Sequence, residues 1–138
     1  MKIRSEAQRR YLKRMIAATI VYLATVAAAS FLIDKEGPVT ALTAVLAVLP
    51  GLAIIGIFWV IARLMVEEQD EFVRMLIVRQ SLVATGLALS SASVWGFLEA
   101  YGVAPHIDAY WVAIVWFFGL GVGAVANKLQ YGAYGECY

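Results

Sequence analysis

Residues 40–65 read TALTAVLAVLPGLAIIGIFWVIARLM, a run in which Arg63 carries the only charge. Wound as an α-helix at 1.5 Å per residue, such a run is about 39 Å long, more than the roughly 30 Å hydrocarbon core of a bilayer. Outward from it lie three more runs of the same character, at 16–33, 76–98 and 109–126. A hydrophobic fraction of 62% and a mean hydropathy of +0.78 exceed what a soluble domain carries, which is about half apolar or a little less. The sequence therefore predicts an all-α, polytopic membrane protein, a compact bundle of four transmembrane helices. Four spans use most of the 138 residues, so the loops are short and any function must sit in the bundle, its loops or its tails.

The basic residues orient these spans. Lys2, Arg4, Arg9, Arg10, Lys13, Arg14, Arg63, Arg74, Arg79 and Lys128 fall on one side of the four crossings, and Lys35 alone falls on the other. Basic residues in short loops are retained in the cytoplasm, so both termini are expected inside. The expected division is a basic cytoplasmic segment at 1–15, a four-helix membrane domain at 16–126 and a short cytoplasmic tail at 127–138. The first run is about 18 residues long and ends in Asp34-Lys35-Glu36-Gly37-Pro38 without the small-x-small site of a cleaved signal. It reads as a retained span. The six bases before it suit attraction to anionic lipid and give no reason to invoke direct nucleic-acid binding. Cys137 is the only cysteine, so an internal disulfide is excluded.

Along the chain, six alanines between Ala17 and Ala29 let a neighbouring helix approach closely. Thr40 is placed to cap the second helix. Pro50-Gly51 lies near the middle of that helix, where a proline removes a backbone donor and crowds the preceding turn; a hinge at Pro50 and a static bend are both consistent with it. The stretch 63–80 contains no Gly or Pro and predicts a helical connector that runs toward the third span. Within it Glu67, Glu68, Asp70, Glu71, Arg74 and Arg79 form the densest charged cluster of the chain, interrupted by Phe72, Val73, Met75 and Leu76. This is either an interfacial connector that holds two spans in register or a docking surface for a partner. In the third span Ser81, Thr85, Ser90, Ser91 and Ser93 can return their hydroxyl bonds to the preceding turn. In the fourth, Gly119-x-x-x-Gly123 with Asn127 one step further makes a small-residue stripe suited to close helix packing, within the chain or between chains. Phe31-Leu32 before Gly37-Pro38 and Phe97-Leu98 before Gly102 and Pro105 also invite comparison as a duplicated hairpin, although with so few matched positions chance is the better explanation.

Several chemistries are excluded or unsupported. No acid, His or Lys stands in the middle of a span, whereas a proton-coupled carrier holds its ion or proton on such a group at membrane depth. His106 and Cys137 are expected on opposite sides of the membrane, so they cannot form a nucleophilic pair. Glu99, His106 and Asp108 share an outer loop, but three ligands at loop spacing make a weak metal signal, and Asp108 is as readily a helix cap. No haem ligand pair or phosphate-cradling loop is visible. The chain is expected to carry no catalytic, cofactor-binding or metal-binding residues and to use no cofactor.

Asp70-Glu71-Phe72-Val73-Arg74 leading into the third span, then Trp95-Gly96-Phe97-Leu98-Glu99, Pro105-His106 and a Trp-containing fourth span, resembles a group of uncharacterised small four-span bacterial inner-membrane proteins. Genes of that group often lie beside short XRE-type helix-turn-helix regulators. The resemblance covers roughly the second half of the chain, and the basic C-terminal tail of the group is reduced here to Lys128. It implies a multi-pass protein of the bacterial inner membrane and a cytoplasmic regulator as a possible protein partner. The functional expectation is a non-enzymatic membrane protein that binds a protein partner, a cytoplasmic regulator or the subunits of a membrane complex, through Glu67, Glu68, Asp70, Glu71, Arg74 and Arg79. Gly119 and Gly123 would serve helix packing or homo-oligomerisation. The alternative is a small oligomeric transporter or channel that lacks an embedded ionisable residue and moves about Pro50; no small-molecule substrate is identified.

Overall fold

The structure, a computed structural model, describes residues 6–134. The bases Lys2 and Arg4 and the lone Cys137 lie outside the described residues. Four helices follow one another: α1 (Glu6–Leu32), α2 (Ala41–Glu67), α3 (Glu71–Ala100) and α4 (Tyr110–Tyr131). All four are long and apolar enough to cross a membrane, and no strand occurs among the described residues. The chain is thus an all-helical, multi-pass membrane protein.

Helix α1 begins ten residues ahead of its apolar run. Residues 6–15 are Glu, Ala, Gln, Arg, Leu, Lys and Met with one Tyr, mostly good helix formers, and extending an existing helix costs far less than nucleating a new one. Arg9, Arg10, Lys13 and Arg14 therefore ride on the helix itself. Thr40 caps α2 in a capping box: the Thr43 N–H donates to Thr40 Oγ1 (3.3 Å) and the Thr40 N–H donates to Thr43 Oγ1 (2.9 Å). Threonine here takes the place of the usual Glu or Gln of that motif. Pro50 sits inside α2, which runs without a break from Ala41 to Glu67.

The connector differs from the expected helix. Glu68 turns to extended backbone (φ −72°, ψ 124°) and α3 starts afresh at Glu71. The cause is Asp70, whose Oδ1 accepts the N–H groups of Phe72 (2.9 Å) and Val73 (3.2 Å). A carboxylate bonded in this way satisfies orphan donors at a helix start and competes with helix continuation. At its other end α3 closes in a Schellman motif around Gly102 (φ 73°): the Val103 N–H donates to Leu98 O (2.8 Å) and the Gly102 N–H to Glu99 O (3.0 Å). The turn after α1 is built otherwise, by Asp34, whose side chain accepts the Glu36 N–H at 3.0 Å. The two turns matched in sequence thus have different constructions.

Asp108 does not cap α4. The N-cap is Ala109, in helical backbone and without a side-chain bond, while the Asp108 main-chain carbonyl accepts the Trp111 N–H at 3.1 Å. At its C-terminus α4 passes residue 126 and takes in Asn127, Lys128, Leu129, Gln130 and Tyr131. It stops only where Gly132 enters the left-handed region (φ 72°) and donates to Lys128 O at 2.9 Å.

Helix contacts pair α1 with α2 and α3 with α4, and each hairpin is a compact unit. In the first, α2 buries Ile57, Val60, Ile61 and Leu64. The α1 apolar stretch contains no buried residue; Ile16, Ile20, Val21 and Leu23 are all exposed. Apolar outer faces of this kind are what a helix whose backbone bonds are satisfied internally presents to lipid. In the second hairpin the contact is far closer, with Leu76 and Ala84 at 0% exposure and Ala88 at 2%.

Candidate functional site at the charged helix ends

Glu67 is the centre of an ion-pair cluster at the end of the first hairpin. Its Oε1 accepts from Arg14 Nη1 of α1 (2.9 Å) and from Arg63 Nε of α2 (3.0 Å), and Arg63 Nη2 approaches the same oxygen at 2.7 Å. Arg10 Nε lies 3.5 Å from Oε2. The Arg14 and Arg63 guanidinium groups also stand 6.0 and 5.6 Å from the centre of the Trp59 ring, within range for a cation–π contact. Glu67 thus joins the two helices of its own hairpin. Glu68 is buried at 3% exposure and is engaged in an interaction of its own. Neither acid stands out to meet a partner.

In the second hairpin Asp70 caps α3, so one of its carboxylate oxygens is committed to backbone. Glu71 pairs with Arg74 one turn on, its side chain 82% exposed and that of Arg74 40% exposed. Phe72 and Met75 are exposed beside them. Arg79 spans α3 and α4: it donates to the Tyr131 hydroxyl at 2.7 Å and to the Gln130 side-chain oxygen, and its guanidinium lies 4.9 Å from the Tyr131 ring centre. Of the six charged residues singled out in the sequence, Asp70 and Glu71 are exposed and Arg74 is half-buried; Asp70 is engaged in the helix cap, whereas Glu71 and Arg74 pair only with each other among the described residues. Helical spacing alone finds the Arg63–Glu67 pair, four residues apart. Arg10 and Arg14 were missed, although their own four-residue spacing was the available signal, and no local signal pointed to Tyr131 or Gln130, which reach Arg79 across the hairpin.

The small-residue stripe of α4 lies against α3. A Cβ on Gly119 would stand 2.7 Å from Ala84 Cα, and one on Gly123 would stand 2.8 Å from both Gln80 Cα and Gln80 O. One step further, Asn127 Nδ2 donates to Leu76 O at 2.9 Å in full burial. One step beyond that, Tyr131 and Phe72 meet edge to face at 6.3 Å. The antiparallel pairs Ala84/Gly119, Gln80/Gly123, Leu76/Asn127 and Phe72/Tyr131 advance by four residues on each helix, the row spacing that ridges-into-grooves packing uses. Trp116 Nε1–H donates to Thr85 Oγ1 (3.0 Å), which itself donates to Ser81 O (2.8 Å). The Ser81 and Thr85 hydroxyls therefore serve helix packing and the preceding turn.

The loop from Glu99 to Asp108 is a local latch. His106 Nδ1 lies 2.6 Å from Glu99 Oε1, His106 Nε2 lies 3.8 Å from Asp108 Oδ1, and Trp95 Nε1–H donates to Pro105 O at 3.2 Å. Among the described residues no group of three or more His, Cys, Asp or Glu is placed to hold a metal ion. The hydrogen bond to Glu99, and then its negative charge, raise the His106 pKa above its ordinary value near 6.5. A raised pKa means that the folded chain holds the proton more tightly than the unfolded one. While Glu99 is ionised, the latch thus contributes fully below about pH 6.5 and is lost as pH rises through the folded-state pKa of His106. In an NMR titration His106 is expected to titrate above 6.5, and Glu99→Gln should return it toward that value. An unshifted His106 in the parent chain would contradict the latch.

No protein-family model, curated protein or solved structure matches the chain.

Proposed function

We propose that the chain is a non-enzymatic integral membrane protein that binds a protein partner, a cytoplasmic regulator or a subunit of a membrane complex, at the first two turns of α3. The observation that carries this reading is the exposed strip of Glu71, Phe72, Arg74 and Met75. It sets an acid and a base beside two large apolar side chains at a helix end. An interface core of aromatic and Met side chains ringed by charge is how protein contacts are commonly built. The expected docking set therefore narrows to Glu71 and Arg74. Glu67, Asp70 and Arg79 have structural partners within their own hairpins, and Glu68 is buried. A bacterial inner-membrane location with both helix pairs opening to the cytoplasm at their basic ends is part of the same proposal, supported by the charge asymmetry of the loops.

The test is purification from native membranes in nanodiscs, comparing the parent chain with Glu71→Lys. Reversal at Glu71 sets two like charges beside each other at Arg74 and removes the acid from the strip. Recovery of a stoichiometric protein companion is expected to fall about tenfold, the loss that corresponds to one well-placed interfacial charge, while insertion and yield stay unchanged. Undiminished recovery would overturn the assignment. Asp70 is unsuitable for this purpose, because changing it also removes the cap of α3.

A further inference from the structure

We propose that Arg10, Arg14 and Arg63 form a binding site for the phosphate group of an anionic membrane lipid. The site lies wholly within the first hairpin and is separate from the strip on α3. Three guanidinium groups converge on the one carboxylate of Glu67, which leaves two positive charges in excess. Each guanidinium has five N–H donors in a planar fork, and a single carboxylate can occupy only a minority of them. The side chains remain open to solvent, 54% exposed at Arg10, 32% at Arg14 and 45% at Arg63. Planar donors with surplus charge suit the oxygens of a phosphodiester.

The surroundings identify a lipid as the source of that phosphate. The cluster stands where the apolar stretches of α1 and α2 give way to charge. Trp59, 56% exposed, lies directly beside it, as aromatics do at the headgroup level. Going one and two turns deeper along the Trp59 face of α2, Ile55 and Leu52 are exposed, and on α1 so is Val21. A lipid with its phosphate on the arginines would lay its acyl chains along these side chains. Glu67 then has two roles: it holds the three arginines together, and by cancelling one charge it sets the strength of the site.

The experiment uses the full chain, titrated with phosphatidylglycerol or with phosphatidylcholine of the same acyl chains and followed by native mass spectrometry. Phosphatidylglycerol is expected to be retained preferentially. Arg10→Gln with Arg14→Gln should weaken that preference by about tenfold or more, since it removes both the charge and the directed guanidinium hydrogen bonds to the phosphate. The matched control is Arg9→Gln with Lys13→Gln, which removes the same charge from two exposed positions outside the cluster and should weaken retention less, because only the diffuse attraction to anionic lipid is lost. Arg10→Lys with Arg14→Lys keeps the charge and should retain the preference for the anionic lipid. Glu67→Gln should strengthen retention, a gain that simple misfolding does not produce. Equal losses from the two Gln pairs, or no preference in the parent chain, would overturn the site in favour of diffuse attraction. Complete displacement of the lipid by excess inorganic phosphate would overturn the lipid assignment in favour of a soluble anion.

Discussion

Alanine at Gly119 or Gly123 is expected to destabilise the α3–α4 hairpin by up to about 2 kcal/mol each, because a Cβ at either position meets the backbone of α3. The clash is with backbone: Ala84 Cα stands 2.7 Å from the added carbon at Gly119, and Gln80 Cα and O stand 2.8 Å from it at Gly123. Backbone atoms cannot rotate away, so the helices must separate along the whole stripe. Forcing one extra carbon into a close-packed contact costs about 1–3 kcal/mol, and the helix propensity gained over glycine, about 1 kcal/mol, offsets part of it. Gly121 isolates the second effect, since a Cβ there meets nothing within 4 Å; Gly121→Ala should be neutral or slightly stabilising. Reversible unfolding by steric trapping in lipid would measure all three. A Gly123→Ala variant as stable as Gly121→Ala would mean that the two helices do not pack along this stripe.

Asn127→Ala is expected to cost a further 1–2 kcal/mol or so, by a different route. The Asn127 amide is fully buried, and its Nδ2 donates to Leu76 O at 2.9 Å. Alanine removes that bond and leaves a void against Leu76, which is itself fully buried. Asn127→Asp distinguishes the bond from the packing. It keeps the shape but sets a carboxylate oxygen against the Leu76 carbonyl, where only the protonated acid can donate. The Asp variant should therefore be the less stable of the two near neutral pH and should recover as pH falls. Equal stability of Asn127→Asp and the parent chain at neutral pH would show that the buried bond contributes nothing.

Much of this architecture was legible in the sequence because the signals are local. Run length marks the four helices, Thr40 announces the start of α2, and Gly119-x-x-x-Gly123 announces a close contact without saying against what. The structure supplies that partner row, Leu76, Gln80 and Ala84. It was hidden because Ala, Gln and Leu at such spacing are ordinary in any helix. The connector was misread for an instructive reason. Residues 63–80 contain only residues that helices tolerate, yet Asp70 offers two backbone donors a bond that a helix interior does not provide, and that suffices to stop one helix and start the next. The charged cluster was legible as a cluster but not as two sets of contacts. Helical spacing pairs Arg63 with Glu67 and Glu71 with Arg74, whereas the bonds of Glu67 to Arg14 and of Arg79 to Gln130 and Tyr131 join residues about fifty positions apart. Those pairings emerge only once each hairpin has folded.

Partner binding at the start of α3 is tested most directly by photo-crosslinking in native membranes from a benzoylphenylalanine placed at Phe72. One protein adduct of defined mass is expected, absent when the same label stands at Leu89, an exposed position deep in α3, and lost when Glu71→Lys is added. Lipid adducts alone at position 72, or the same protein adducts from positions 72 and 89, would contradict it.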